Sequence, residues 1–185
     1  MSDPSTTSSN GQSTVSEQSG RFYGKFRGLV INNVDPMQRG RLQVQVPEVA
    51  QLVPISWAEA CIPVGGPQYG SFAVPMVGAS VWVEFEQGDP DRPIWTGVFY
   101  KNAGEVPALA RSIPPGVPGM AHVTPLQNAV VINDTPGPTG GIMLKGGLAT
   151  ITINDTGITI QNGKGASISM VGPQVIVNAG ALTVT

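Results

Sequence analysis

Between Ala129 and Thr185, isoleucine, valine and leucine alternate with threonine, serine, asparagine and glutamine, in short runs punctuated by glycine and polar residues. Alternation with period two is the pattern of a half-buried β-strand. The stretch has no aromatic residue and very few charges. AVVINDT (Ala129–Thr135) returns as ATITINDT (Ala149–Thr156), with the Ile-Asn-Asp-Thr strings in matching register. Repeated short strands predict a structure built from similar courses, each burying its apolar face on the next. One such column is too thin to close its own core, so its apolar stripe is expected to meet copies of itself around an axis. That object is a rod, a mechanical element rather than a catalytic one.

The pattern upstream differs. Arg21 to Asn102 carries all eleven aromatic residues of the chain and most of its charge, and it reads as all-β. Phe22–Asn32 predicts a long first strand, with Gly24 and Gly28 marking a bulge or strong coiling. Gly40–Val46 alternates, with Leu42, Val44 and Val46 on one face. Ile55–Ile62 predicts a third strand. In the fourth, Val81–Phe85, residues Val81, Val83 and Phe85 face in and Trp82 and Glu84 face out. Gly88-Asp89-Pro90-Asp91 is a tight turn before a closing strand, Pro93–Phe99. Five coiled strands in about 80 residues fit a small closed barrel of the OB type. Residues 1–20 form a Ser/Thr/Gly/Gln-rich tail expected to be flexible. Residues 103–125 hold five prolines and three glycines and read as an extended neck. The strand repeat occupies 126–185.

Composition narrows the function. Charged residues make up 12% of the 185, about half the usual share. A net charge of −2 argues against a nucleic-acid binder, which normally presents a basic face. No run is long and apolar enough for a membrane-spanning helix. The N-terminus lacks the basic and apolar regions of a secretory signal. A single cysteine excludes an internal disulfide framework. These features predict synthesis in a reducing cytoplasm.

Three strings carry a resemblance: GLVINNVDPMQRGRLQVQVP, SWAEACIP and GSFAVPMVGASVWVEFEQGDPDRPIWTGVFY. At Asp35-Pro36, Gly40-Arg41, Val46-Pro47, Trp57, Gly70, Pro75, Gly78, Val81, Val83, Phe85, Gly88-Asp89, Arg92-Pro93 and Gly97, residues 22–100 resemble the N-terminal OB domain of baseplate spike proteins. These are the baseplate assembly protein V, gene-product-5-like and VgrG proteins of contractile phage tails and related injection machines. The resemblance implies an all-β fold, an OB barrel followed by an intertwined trimeric β-helical needle. It implies a non-enzymatic structural spike that docks on a baseplate hub and pierces a target envelope. It also implies a homotrimer, a hub partner for the barrel, transient membrane contact, no nucleic acid and no cofactor. The protein is expected to be assembled in the baseplate of a phage tail or injection particle. The lysozyme domain that some relatives insert before the needle has no counterpart in the short neck. The histidine-rich metal-binding tip of others has none either.

In such a needle the expected trimer core is Ile151, Ile153, Ile158, Ile160, Ile168, Met170, Val175 and Val177, continued by Leu182 and Val184. Thr152, Thr159, Ser167, Ser169, Asn178 and Thr183 face out. About seven strands per chain, laddered between chains, give a rod of roughly 30–35 Å. The blunt end at Leu182, Thr183, Val184 and Thr185 would leave open strand edges and an apolar patch. A small conical tip protein of the PAAR-repeat kind is expected to cover it by β-augmentation.

Candidate chemistry is sparse. Glu84 and Glu86 are spaced like paired carboxylates, but a solvated strand edge explains them. Cys61 has no base except the single histidine, His122, and is expected to be a buried small hydrophobe. Three copies of His122 around a trimer axis would suit a metal, but in a flexible neck a plain exposed histidine is the expectation. Gly163-Lys164-Gly165 lacks the upstream glycine and following helix of a phosphate loop and reads as a hairpin turn. Asp134 and Asp155 sit singly in Asn-Asp-Thr turns and need no calcium. Two alternatives stand beside the spike. The cluster Arg21, Lys25, Arg27, Arg39 and Arg41 near Phe22, Tyr23 and Phe26 would serve an OB module for single-stranded nucleic acid with an oligomerising tail. A carboxylate-lined cleft between chains would serve a fibre-borne glycan-cleaving enzyme.

Overall fold

A computed structural model of the chain describes residues 20–50 and 55–184. Its contacts divide it into two units, with the boundary between Phe99 and Tyr100. The expected flexible tail lies outside the described residues, apart from Gly20.

Among the described residues the first unit has seven strands: β1 (Phe26–Asn32), β2 (Gln43–Gln45), β3 (Glu59–Ala60), β4 (Gly65–Gly66), β5 (Tyr69–Gly70), β6 (Ser80–Phe85) and β7 (Pro93–Val98). Five of them form one sheet in the order β2-β1-β6-β7-β3. Its two ends are joined by an antiparallel bridge between Leu42 and Ala58, with Ala58 N donating to Leu42 O at 2.7 Å. A five-stranded sheet joined to itself is a barrel, and closure removes its edges. The core is the set of inward positions that alternation predicts: Leu42, Val44 and Val46, then Val81, Val83 and Phe85, with Val30, Ile55, Ala58 and Trp95. Gly28 sits against this core because a Cβ there would come within 2.9 Å of Val83 Cγ2. Opposite Trp82 the β6–β7 ladder bulges, and Gly97 there has φ +155.

One strand falls far short of the length its alternation suggests. The third expected strand, Ile55–Ile62, shrinks to Glu59–Ala60, which runs parallel to β7. The chain then leaves the barrel at Cys61, which is exposed. The expectation of a buried cysteine is therefore corrected: the apolar neighbours Ile62 and Val64 are themselves exposed, at 45% and 56%.

The second unit holds a four-residue helix, α1 (Ala108–Arg111), and eight strands. These are β8 (Gly119–Val123), β9 (Ala129–Asn133), β10 (Gly141–Gly146), β11 (Ala149–Asn154), β12 (Gly157–Gln161), β13 (Ser167–Val171), β14 (Gln174–Val177) and β15 (Leu182–Val184). They pair in strict sequence order as one antiparallel sheet. Eight strands spaced at about 4.8 Å span about 34 Å. One expectation changes here. The ladders were expected between chains, yet each strand bonds to its own chain neighbour. The Asn-Asp-Thr turns are hairpin chemistry: Asn133 Oδ1 accepts from Thr135 N at 3.0 Å, and Asn154 Oδ1 from Thr156 N at 2.9 Å. Gly157 follows at φ +142, where a Cβ would run into the carbonyl oxygen of Met170. The proline-rich stretch ends in β8, the edge strand of this sheet.

An apolar sheet face as the candidate functional site

The register of the second sheet sorts its side chains into rows. One row runs Met120, Ile132, Ile142, Ile153, Ile158, Met170, Val175 across successive strands, ending at position 184. The next runs His122, Val130, Leu144, Ile151, Ile160, Ile168, Val177, Leu182. Residues two apart on a strand share a face, so the two rows lie on one face. The sequence repeat explains the regularity. Ile132 and Ile153 flank Ile142 from both sides, and Val130 and Ile151 flank Leu144.

Among the described residues nothing covers this face. Ile142, Leu144, Ile151, Ile153, Ile160 and Ile168 keep between 37% and 43% of their surface exposed. Part of it forms an open trough of about 790 Å³ lined by residues such as Val130, Leu144, Ile151, Ile160 and Ile168. Contiguous exposed apolar area of this kind marks an interaction surface. All eight expected core residues, Ile151 to Val177, fall in these two rows. The opposite face carries Thr152, Thr159 and Ser169 in one row, together with Met143 and Ile176. There Val131 is buried, at 4% exposed. Leu182 is 58% exposed, and Thr185 lies outside the described residues.

Four ion pairs take up much of the barrel's charge. Lys25 Nζ meets Glu84 Oε1 at 2.7 Å, Arg92 meets Glu86 at 2.6 Å, and Arg39 meets Glu59 at 2.9 Å. Glu84 and Glu86 thus each answer a cation of their own. Arg27 lies over Trp82 and Phe99, 5.1 and 4.7 Å from their ring centroids. The basic cluster of the sequence is therefore dispersed and largely engaged, which removes the basic groove that a single-strand binder needs.

Arg41 and Asp35 form the one pair withdrawn from water among these four. Asp35 accepts from Arg41 Nε and Nη2 at 3.1 and 2.7 Å, and from the backbone N–H of Met37, Arg39 and Arg41. The Arg41 guanidinium, aided by these N–H groups, holds the Asp35 carboxyl well below the usual carboxylate range against the opposing effect of burial. Gly40, at φ +76, turns its carbonyl to Trp95 Nε1 at 3.0 Å. One turn, Asp35 to Arg41, therefore fastens the barrel. Lys164 N and Ala166 N both donate to Asn162 Oδ1, so Gly163-Lys164-Gly165 is a hairpin turn and not a phosphate loop. Among the described residues no three His, Cys, Asp or Glu side chains gather within one chain. Among the described residues no helix is long and apolar enough to cross a membrane.

Two family models match, and they fall on the two units. Residues 26–100 match the type VI secretion system/phage-baseplate injector OB domain. Residues 120–183 match the phage baseplate V C-terminal trimerisation domain. The chain belongs to the phage baseplate V family of baseplate spikes. Its second unit is accordingly a trimerisation domain, and the uncovered apolar face lies within it. Curated relatives agree. The type VI secretion system spike protein VgrG5 of Pseudomonas aeruginosa is 43% identical over 51 residues, 28% of this chain and 6% of that protein. Spike protein VgrG3 of Vibrio cholerae is 45% identical over 51 residues, 28% of this chain and 5% of that protein. The actin cross-linking toxin VgrG1 of Vibrio cholerae is 57% identical over 35 residues, 19% of this chain and 3% of that protein. The chain thus spans a small fraction of the length of these relatives.

Proposed function

We propose that this chain is the structural central spike of a contractile injection machine, acting as a homotrimer without enzymatic activity. The observation that carries the reading is the two-row apolar face, complete in register across the sheet and left open within one chain. Three copies arranged about an axis, each contributing its sheet as one wall, would bury the three faces against one another. Ile151, Ile153, Ile158, Ile160, Ile168, Met170, Val175 and Val177 would then form a dry core, with the threonine and serine rows outside. Such a prism suits piercing. Its backbone ladders run within each wall, and its walls are held by a continuous apolar seam, so no single contact bears the load. The functional division follows the sequence, a barrel over 21–102 that docks on the hub, a neck over 103–125 and a needle over 126–185, except that β8 (Gly119–Val123), expected in the neck, is the first strand of the needle sheet.

The end of the needle carries a second element of the reading. β15 is the edge strand of the sheet, and unpaired edges with exposed apolar side chains such as Leu182 are normally covered. A small pointed tip protein pairing with Leu182, Thr183, Val184 and Thr185 would cover it, and transient contact with the target membrane would follow. Deleting Ala181–Thr185 tests this. The shortened chain should stay trimeric and keep its hub contact while losing the tip protein. A trimer whose end closes on itself and binds no such protein would refute the tip assignment.

A further inference from the structure

We infer that His122 forms a metal site on the three-fold axis at the first layer of the trimerisation domain, one imidazole from each copy; this rests on the trimeric reading above. In sequence His122 falls in a stretch that reads as a loose neck. The structure instead places it in β8, fixed by the ladder to β9, directly opposite Val130. It heads the row that continues through Val130, Leu144, Ile151, Ile160 and Ile168. Met120 heads the other row. Across both rows His122 is the sole polar side chain. The alternation of β8 confirms its side: Met120 and His122 are exposed, while Ala121 and Val123 are half-buried. The family match to the trimerisation domain begins at residue 120, so β8 belongs to the assembling surface.

The chemistry follows from that position. Among the described residues His122 has no hydrogen-bond or ion-pair partner. Its neighbours along the rows are Val130, Met120 and Ile132, and none of their side chains offers a hydrogen-bonding oxygen or nitrogen. Closing the trimer would therefore withdraw three imidazoles from water with no protein partner, which is unfavourable for any polar group. Three-fold symmetry brings all three to one axis at the same level. A divalent first-row cation that favours imidazole, such as zinc, takes nitrogen ligands at about 2.0–2.1 Å and is satisfied by three histidines plus one water. One ion would thus satisfy three orphaned side chains and tie the walls together where the needle begins.

The test uses the full chain, purified, equilibrated with Zn²⁺ and dialysed, with metal content and mass measured on the same sample. The expected result is about one zinc per three chains, with Co²⁺ substitution giving the visible absorption of a low-coordinate site. His122→Gln should lower metal content at least about tenfold while the mass remains that of a trimer. A trimer that holds only background zinc overturns this inference alone. So does a His122→Gln trimer that keeps the metal. A wild-type monomer overturns the trimeric reading and this inference with it.

Discussion

Ile153→Asp is the substitution that separates a trimer core from a merely exposed apolar strand. Ile153 lies between Ile142 and Ile158 in its row and is 43% exposed in the single chain. Full burial of an isoleucine contributes about 1.5–3 kcal/mol. Roughly two fifths of that is still to be gained on assembly, about 1 kcal/mol per chain and about 3 per trimer. An unpaired carboxylate in a dry core costs several kcal/mol more, three times over, before mutual repulsion. The total exceeds about 10 kcal/mol, which at 1.4 kcal/mol per decade weakens association by about seven orders of magnitude. In the isolated chain the aspartate stays near water, so the sheet itself should survive. Sedimentation or light scattering should report a monomer, with circular dichroism still showing strand. Thr152→Asp, one residue away on the opposite face, should remain trimeric. An Ile153→Asp trimer with unchanged melting would refute the assignment of this face to the core.

Two further outcomes follow. The Asp35 carboxyl titrates far below its unfolded value of about 3.9, so its contribution is fully present above about pH 4 and is lost as pH falls through the lower, folded value. Asp35→Asn should therefore melt earlier at pH 7 and show a flatter decline below pH 4, and parallel acid limbs for the two proteins would contradict the pairing with Arg41. No cleavage of peptidoglycan or capsular glycan should be detected, since Glu84 and Glu86 are each held by their own cation; reproducible cleavage abolished by Glu84→Gln would overturn the non-enzymatic reading.

Much of this was legible in the chain because period-two alternation reports which side of a strand is apolar. Leu42, Val44 and Val46 in one strand, and Val81, Val83 and Phe85 in another, are buried as their spacing requires. The two isoleucine repeats occupy equivalent places on either side of β10. What alternation does not report is which chain supplies the neighbouring strand. The expectation of ladders between chains failed for that reason, although each Asn-containing turn signals a hairpin within the chain. β8 was hidden by the prolines and glycines around it, and with it the position of His122. Only the five-residue alternation of Gly119–Val123 could have revealed that strand. Cys61 was misplaced because apolar neighbours imply burial only while the strand lasts, and β3 ends one residue earlier. The Asp35–Arg41 turn was matched as a motif, but its reason, a carboxylate gathering N–H donors under a guanidinium, needed the structure.

The central claim is that the open apolar face of β8–β15 is closed by two further copies of this chain. The molar mass of the purified full-length protein in solution tests it most directly. One chain is 19.2 kDa, so the account predicts three times that, about 58 kDa, stable to dilution. A mass near 19.2 kDa at micromolar concentration would contradict it.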